Sequence, residues 1–458
     1  MRILITGGTG MIGKELGKTL SAQGHELIIL TRNTEKAKAV LPYPAKIMTY
    51  TNSAIPDEAF EGVEAIYNLA GENIGAKRWS SERKKKLHAS RINMTQNLVK
   101  GVKRQLENNK KSLTKFISVS AIGIYGDRHD ELLTEESSSD NDFLAQICKD
   151  WEKESQILTQ DNIQVINPRI GIVLSSQGGA LQRLLPLFTS GIGSAVGSGK
   201  QWMSWIHIQD LVSLLVHLLN SHIRGAVNAV APHPVTNLEF SKTLAKKLNK
   251  PLFPKVPGLP LKLALGEIST LVLSSQRVSS QKIQNDGFIF EYPQLEAAID
   301  KITGPMKNGE EEFFTEQWIP KKPEEVFEFF SDEHNLEKIT PSFLGFKVLQ
   351  SSTDKIKENT IIDYRLSLYG IPVKWKTKIE EWKPPHQFVD NQLRGPYKSW
   401  KHTHELIPFA GGTLLRDRVL YKLPLGSIGK LVALRKVSSD VTKIFEFRRE
   451  YIAREFYH

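Results

Sequence analysis

Short apolar runs alternate with stretches of helical period through the first two thirds of the chain. The first run, Ile3, Leu4 and Ile5, has no polar alternation and predicts a strand buried on both faces. Over 14–22 apolar residues recur four apart, at Leu16 and Leu20, which predicts a helix. Further strands are predicted at 26–30, 65–71, 116–121 and 162–171, with helical stretches such as 90–102 before them. Strand and helix alternating at this spacing build an α/β fold, a parallel doubly wound sheet with helices on both faces. Asp210 is placed as the N-cap of a helix through Leu211, Leu214, Leu215 and Leu218.

The pattern changes after residue 302. The polar, turn-rich stretch 303–312 reads as a linker. A strand is predicted over 313–319, then a helix opened by Pro323. Period-two segments at 360–366, 373–379, 386–393, 399–407 and 412–423 predict an antiparallel sheet. In 429–456, Val437, Val441, Ile444, Phe445 and Ile452 recur near helical spacing and predict a long amphipathic helix. The expected organisation is one domain over 1–302, with a substrate-side subregion at 170–302, and a second over 313–458.

A length of 458 residues exceeds what one core supports, which agrees with that division. A single cysteine, Cys148, excludes an internal disulfide and points to a reducing compartment. With no basic-then-apolar leader and no run of about 18 apolar residues, a cytoplasmic location without an integral membrane segment is expected. The net charge of +11 is dispersed. Its run Lys84-Lys85-Lys86 falls on a predicted helix and reads as a solvated face. The excess favours small anionic ligands over nucleic acid.

Chemistry concentrates at the first turn. Gly7, Gly10 and Gly13 follow a strand and open a helix, which gathers backbone N–H groups and the helix N-terminus at one point. That arrangement binds a pyrophosphate: Gly7 makes the turn, Gly10 admits the phosphates, and Gly13 lets helix pack on strand. Thr9, Met11 and Ile12 complete the expected loop. The second strand runs into Thr31 and Arg32 with no acid before Thr34. An acid there would bond the ribose 2′-hydroxyl of NAD, whereas an arginine accommodates the 2′-phosphate of NADP. Another strand ends in Asn68, Leu69, Ala70 and Gly71, all expected at the cofactor, with the small Ala70 and Gly71 letting backbone lie close to it. The parallel sheet brings Gly7, Arg32, Ala70 and Ser120 to one edge. Glu72 and Arg78 are candidates to contact cofactor or substrate, with a structural ion pair as the alternative. Arg169 leaves its strand toward the cleft as a candidate anion binder for substrate.

Residues 1 to about 302 resemble the atypical, extended short-chain dehydrogenase/reductases grouped as epimerase-like proteins, whose substrate is generally unassigned. The matching stretches include 6–13, 68–74, Arg78-Trp79, 90–92, 168–171, 201–210, 227–232, 274–278, Gly287-Phe288 and Tyr292-Pro293. The resemblance implies an NADP-binding Rossmann domain with a small carboxyl-side substrate region. One departure stands out. Ordinary members of the superfamily use a Tyr-x-x-x-Lys pair with a serine, which should fall on the helix after Tyr125, and here Ala145 stands four residues before Lys149. Three candidates remain for proton transfer: Ser120 at a strand end, Tyr125 as the nearby phenol, and His207 as a base near neutral pH.

The element order of 311–458 resembles the START-like, polyketide-cyclase or SRPBCC helix-grip fold. That implies a curved sheet gripping the terminal helix around an apolar cavity for a hydrophobic small molecule. His402 and His404 share one strand face with Trp400. A metal there needs a third ligand that the spacing does not identify, so none is assigned and both histidines read as cavity-lining or solvent-facing. Trp375, Trp382 and Trp400 read as core. The expected function is that of an NADP-binding oxidoreductase or epimerase-like protein acting on a small molecule. The alternative is a non-catalytic NADP(H)-binding sensor that lacks the Tyr-x-x-x-Lys pair.

Overall fold

Ile3, Leu4 and Ile5 are fully buried, and their strand, Arg2–Thr6 (β1), lies inside the first sheet with a partner on each side. The structure, a computed structural model, describes residues 1–51, 54–108, 112–306, 310–332, 334–368, 370–424 and 426–457. They form two compact units, Met1–Arg32 with Ala45–Gly304, and Asn33–Pro44 with Pro305–His458.

In the first unit β1 is joined by Glu26–Thr31 (β2), Lys46–Thr49 (β3), Ala65–Asn68 (β4), Lys115–Ser118 (β5), Gln164–Ile170 (β6) and Gly225–Ala229 (β7). The order is β7-β6-β5-β4-β1-β2-β3, and every pairing is parallel. This is the Rossmann arrangement, and its order reverses between β1 and β4, where such sheets take their ligand. Leu4, Ile66, Phe116 and Val165 pack from the sheet against Leu98 and Val102 of the helix Ser81–Glu107. Burial on this scale, at about 25 cal/mol per Å² of apolar surface, is what holds helix to sheet.

Two boundaries depart from expectation. The strand expected over 65–71 stops at Asn68. The chain must bend there, because Leu69 and Ala70 lie against Gly7, where a Cβ would sit 2.8 Å from the Leu69 carbonyl carbon. The helix Ile208–His217 begins earlier than expected and is capped by His207, whose ring nitrogen accepts the Gln209 N–H. Asp210 is therefore not the N-cap. It lies in the first turn, buried, and its carboxylate accepts the backbone N–H groups of Glu291 and Tyr292 at 2.8 and 3.0 Å.

The second unit is a seven-stranded antiparallel sheet: Glu311–Ile319 (β8), Lys347–Ser351 (β9), Ile361–Leu368 (β10), Ile371–Lys383 (β11), Gln387–Arg394 (β12), Ser399–Phe409 (β13) and Gly412–Lys422 (β14). The order is β8-β14-β13-β12-β11-β10-β9. The helix Pro323–Ser331 opens with its proline in the first turn, where the missing N–H costs nothing. Phe445 and Val441 of the terminal helix Gly426–Phe456 pack on Val419 and Tyr421 of β14, so the helix is gripped by the sheet. The short helix Thr34–Val40 also belongs to this unit, and the backbone N–H of Trp318 donates to the Leu41 carbonyl at 2.9 Å. Of the stretch 303–312, residue 303 ends one helix, Gly304–Met306 form a turn of 3₁₀ helix, 307–309 lie outside the described residues, and Glu311 already starts β8. Among the described residues no helix is long and apolar enough to cross a membrane.

Candidate functional site

The register of the first sheet fixes which loops meet. Thr6 pairs with Leu30 and Asn68, and Asn68 pairs with Ser118, so the chain leaves β1, β2, β4 and β5 along one edge. Gly7, Arg32, Leu69 to Gly71 and Ser120 all follow that row, as the sequence implies. A hydrogen-bonded hub ties it together beneath the surface. Thr6 Oγ1 donates to Asn68 Oδ1 at 2.8 Å, and Asn68 Nδ2 donates to Thr95 Oγ1 and Ser118 Oγ at 2.8 and 3.0 Å. Asn68 is thus a rigid strut under the loop, fully buried.

The glycine loop has no room for side chains. Gly7 has φ +71°, a backbone conformation that disfavours a Cβ. A Cβ on Gly13 would lie 2.3 Å from the Gly7 carbonyl oxygen, and one on Gly10 would lie 3.2 Å from the same oxygen. The helix Met11–Ala22 starts at Gly10 without a side-chain cap and without an acidic residue in its first turn. Its positive end is therefore left for an external anion. Met11 turns aside to pack against Gly178, where a Cβ would sit 2.6 Å from its Sδ. Arg32 is exposed at the end of β2. These features fit a dinucleotide: a backbone cradle that a Cβ would fill, and a cation at the position that reads the ribose.

Beyond Gly71 the loop is pinned. Arg91 is half-buried and donates to the carbonyls of Leu87 and Glu72 at 3.0 and 3.1 Å. Glu72 is paired with Arg83 at 3.1 Å, and this hydrogen bond holds its carboxyl below the usual range. Arg78 donates to the Leu263 and Ala264 carbonyls at the end of the helix Gly258–Leu265, a cation at the negative end of the helix dipole. Sequence reasoning missed Arg83 and Arg91. Their signal is only that both share a helix with the Ser90 that caps Glu72 N–H at 3.1 Å.

The three proton-transfer candidates are held in different ways. Tyr125 is fully buried; its hydroxyl donates to Asn228 Oδ1 at 2.7 Å and accepts from Arg169 Nη1 at 3.0 Å. Burial pushes its phenol up. Arg169 is held by Glu152 through two 2.9 Å bonds, so its guanidinium is spent on Glu152, Tyr125 and the Glu135 carbonyl. His207 is 2% exposed, caps a helix, and its ring lies 4.2 Å from that of Tyr292. Burial, with Lys301 adding to it, holds His207 down to about 4. Ser120 differs. Its Oγ is buried and has no hydrogen-bond partner of good geometry among the described residues, though the Cys148 thiol lies near enough to interact with it. Ala145 is fully buried in the helix Phe143–Gln156, and Lys149 donates to Asn141 at 3.1 Å.

The second unit carries its own cavity, about 180 Å³, lined by Phe388, Trp375, Trp382, Trp400, His402 and His404 among others. The three tryptophans therefore line a space as well as packing, and both histidines are cavity-lining and buried.

Comparison with known proteins follows this division. A family model described as the NAD dependent epimerase/dehydratase family matches residues 3–230, and a domain of unknown function, DUF1731, matches 256–302. A model described as polyketide cyclase/dehydrase and lipid transport matches 319–444. The epimerase family protein YfhF of Bacillus subtilis is 35% identical over 313 residues, covering 67% of this chain and 99% of that protein. The chloroplastic SDR39U1 homologue of Arabidopsis thaliana is 37% identical over 311 residues, covering 66% and 86%. The crystal structure of human epimerase family protein SDR39U1 (isoform 2) with NADPH is 31% identical, with a TM-score of 0.59, covering 66% of this chain and 99% of that one. The glycine cradle, the parallel sheet and these relatives lead to one conclusion: the chain belongs to the NAD(P)-dependent epimerase/dehydratase family, in its SDR39U1-like branch, and carries a polyketide-cyclase-like (SRPBCC) domain behind it.

Proposed function

We propose that the first unit binds NADP(H) and acts as an oxidoreductase or epimerase-like enzyme on a small molecule, while the second holds a hydrophobic ligand. The observation that carries this reading is the cradle of Gly7, Gly10 and Gly13 with Arg32, and no acid, at the end of β2. Arg32 is the side chain for the 2′-phosphate, and the NADPH named with the human relative supports it. Thr9, Met11 and Ile12 supply the loop around the phosphates, Thr31 precedes Arg32, and Leu69, Ala70 and Gly71 form the opposite wall. When bound, the nicotinamide supplies or accepts a hydride. Ser120 is the candidate to hold the oxygen of the reacting carbon, because its hydroxyl, beside the Cys148 thiol, is the least committed group of the three. Tyr125, Arg169 and His207 then position the wall rather than move protons, and Glu72 and Arg78 hold the loop. A cytoplasmic location is our reading from the single, unpaired Cys148.

The test is titration of the purified chain with NADPH and NADH, followed by tryptophan emission and melting temperature. NADPH is expected to bind at least tenfold more tightly, and Arg32→Ala to erase the difference. Equal affinities, or no response to either nucleotide in a folded protein, overturn the reading. A second reading, a non-catalytic NADP(H) sensor, draws on Ala145 at the usual tyrosine position and on the committed hydroxyl of Tyr125. NADPH oxidation by a panel of carbonyl compounds that is lost in Ser120→Ala favours the enzyme. Tight NADPH binding with no turnover across the panel favours the sensor.

A further inference from the structure

Three adjacent strands of the second unit place four titratable residues on one face. Asp390 of β12 is directly opposite His402 of β13, and His404 of β13 is directly opposite Asp417 of β14. Because side chains alternate along a strand, all four project to the side that the terminal helix covers. All four are also shielded from solvent. His402, His404 and Asp417 are buried, and the Asp390 side chain is 17% exposed. Asp390, His402 and His404 line the cavity together with Arg448 of the terminal helix.

The contacts can be counted. His402 Nε2 lies 2.9 Å from Asp417 Oδ1, and His402 Nδ1 lies 3.5 Å from Asp390 Oδ2. His404 Nε2 lies 3.1 Å from Asp390 Oδ2, and His404 Nδ1 lies 2.9 Å from Asp417 Oδ1. Each of the four ring nitrogens therefore faces a carboxylate oxygen. Two neutral imidazoles own two N–H groups between them, so two contacts set lone pair against lone pair. Arg448 Nη2, 3.3 Å from His404 Nδ1, relieves one of these. The other, His402 Nδ1 against Asp390 Oδ2, has no donor. The two imidazole ring centres lie 3.6 Å apart, with Arg448 close by.

From this geometry we propose that Asp390, His402 and His404 bind a divalent first-row transition ion such as Zn²⁺, with an open coordination position facing the cavity. The ligand atoms are Asp390 Oδ2, His402 Nδ1 and His404 Nε2, and the three residues' donor atoms can all lie within 4.8 Å of one another. At metal–ligand distances of about 2.0–2.1 Å, tetrahedral donors are about 3.3 Å apart. The two contacts at Asp390, 3.1 and 3.5 Å, bracket that value. Two imidazoles and one carboxylate suit zinc or iron rather than magnesium or calcium, which take oxygen ligands. Asp417 supplies the outer support. It accepts the N–H of His402 Nε2, and when His404 binds through Nε2 its proton moves to Nδ1, 2.9 Å from the same oxygen, while Arg448 Nη2 gives up its contact with Nδ1 and turns to Asp417 Oδ1, now 3.8 Å away. No proton leaves the site. Carboxylates bonded to metal-bound histidines in this way orient the ring and raise its basicity. Arg448 balances Asp417, so Asp390 is the carboxylate left for the ion to neutralise. The open position would then anchor an oxygen of an otherwise apolar ligand, flanked by Trp375, Trp400 and Phe388. The nucleotide reading of the first unit is independent of this site.

The full chain, stripped with a chelator and desalted, is titrated with Zn²⁺ by calorimetry and with Co²⁺ by visible absorption. We expect one equivalent bound per chain, with the intense d–d bands of four- or five-coordinate cobalt and their perturbation by long-chain carboxylates. His402→Ala and Asp390→Asn should abolish the bands, Asp417→Asn should weaken binding by about 10–100-fold, and the exposed His334→Gln should change nothing. The cobalt spectrum of the unaltered chain tests the ligand set even where a variant fails to fold. No stoichiometric binding by the unaltered chain, six-coordinate cobalt spectra without histidine character, or unchanged binding in a folded His402→Ala each overturn the proposal.

Discussion

Gly13 shows how far a single atom reaches at this site. A methyl group there must share space with the Gly7 carbonyl oxygen at 2.3 Å. Gly13→Ala is expected to cost about 1–3 kcal/mol of stability, the usual range for overpacking, and to weaken NADPH far more than it lowers the melting temperature. Calorimetric melting and nucleotide titration of the same sample check both halves. His207 makes a pH-dependent prediction. Its folded value, about 4, lies below the ordinary 6.5, so in that window the unfolded chain binds a proton that the native one refuses. Stability therefore falls as pH drops from 6.5 toward 4, by at most roughly 3 kcal/mol from this residue. His207→Asn keeps an N-capping side chain and removes the titration, so denaturant melts at pH 7 and pH 5 should differ less than in the unaltered chain. A difference as large as before would remove His207 from the account.

Among elements, the helix Phe143–Gln156 separates what this chain has kept from what it has changed. Asp142 caps it, accepting the Ala145 N–H at 2.8 Å, and Asp142→Ala should cost about 1 kcal/mol. The face that would present a catalytic tyrosine instead packs Ala145 at 0% exposure. Ala145→Tyr is therefore expected to destabilise the chain by about 1–3 kcal/mol or more without raising NADPH oxidation above that of the unaltered chain, as denaturant melts and turnover assays will show. The helix Ile208–His217 illustrates a limit of capping rules. Both His207 and Asp210 are within a residue or two of the helix start, and Asp is the stronger capping type. The tertiary fold gives Asp210 two N–H donors from residues 291 and 292, distant in sequence, and leaves the cap to His207.

At the scale of the whole molecule the second unit combines an apolar cavity with charged groups on its wall. Ile379 is 4% exposed and lines the space. Ile379→Trp should fill it, and binding of a fluorescent fatty-acid analogue, measured by displacement, should drop at least tenfold while NADPH binding is unchanged. The sequence placed His402 and His404 together because strands alternate, but offered no partner for them. The partners come from neighbouring strands, and their signal was an acid at an inward position on each: Asp417 between Leu415 and Val419, both buried, and Asp390 two residues after the buried Phe388. Pairing register, which the sequence does not print, decides that these acids meet the histidines.

By itself the sequence determined the glycine turn, the absent Tyr-x-x-x-Lys pair, the parallel and antiparallel halves and the arginine after β2, because each is a matter of residue type, spacing and period along one segment. Tertiary structure alone decided that Tyr125 and Arg169 bond each other, that Glu72 pairs with Arg83, that Ser120 keeps a hydroxyl without a well-formed bond, and that two carboxylates close around two imidazoles. The physical reason is range. Backbone preference and hydrophobic period act over a few neighbouring residues, whereas the partner of a buried polar group is whatever distant segment the fold brings within about 3 Å of it.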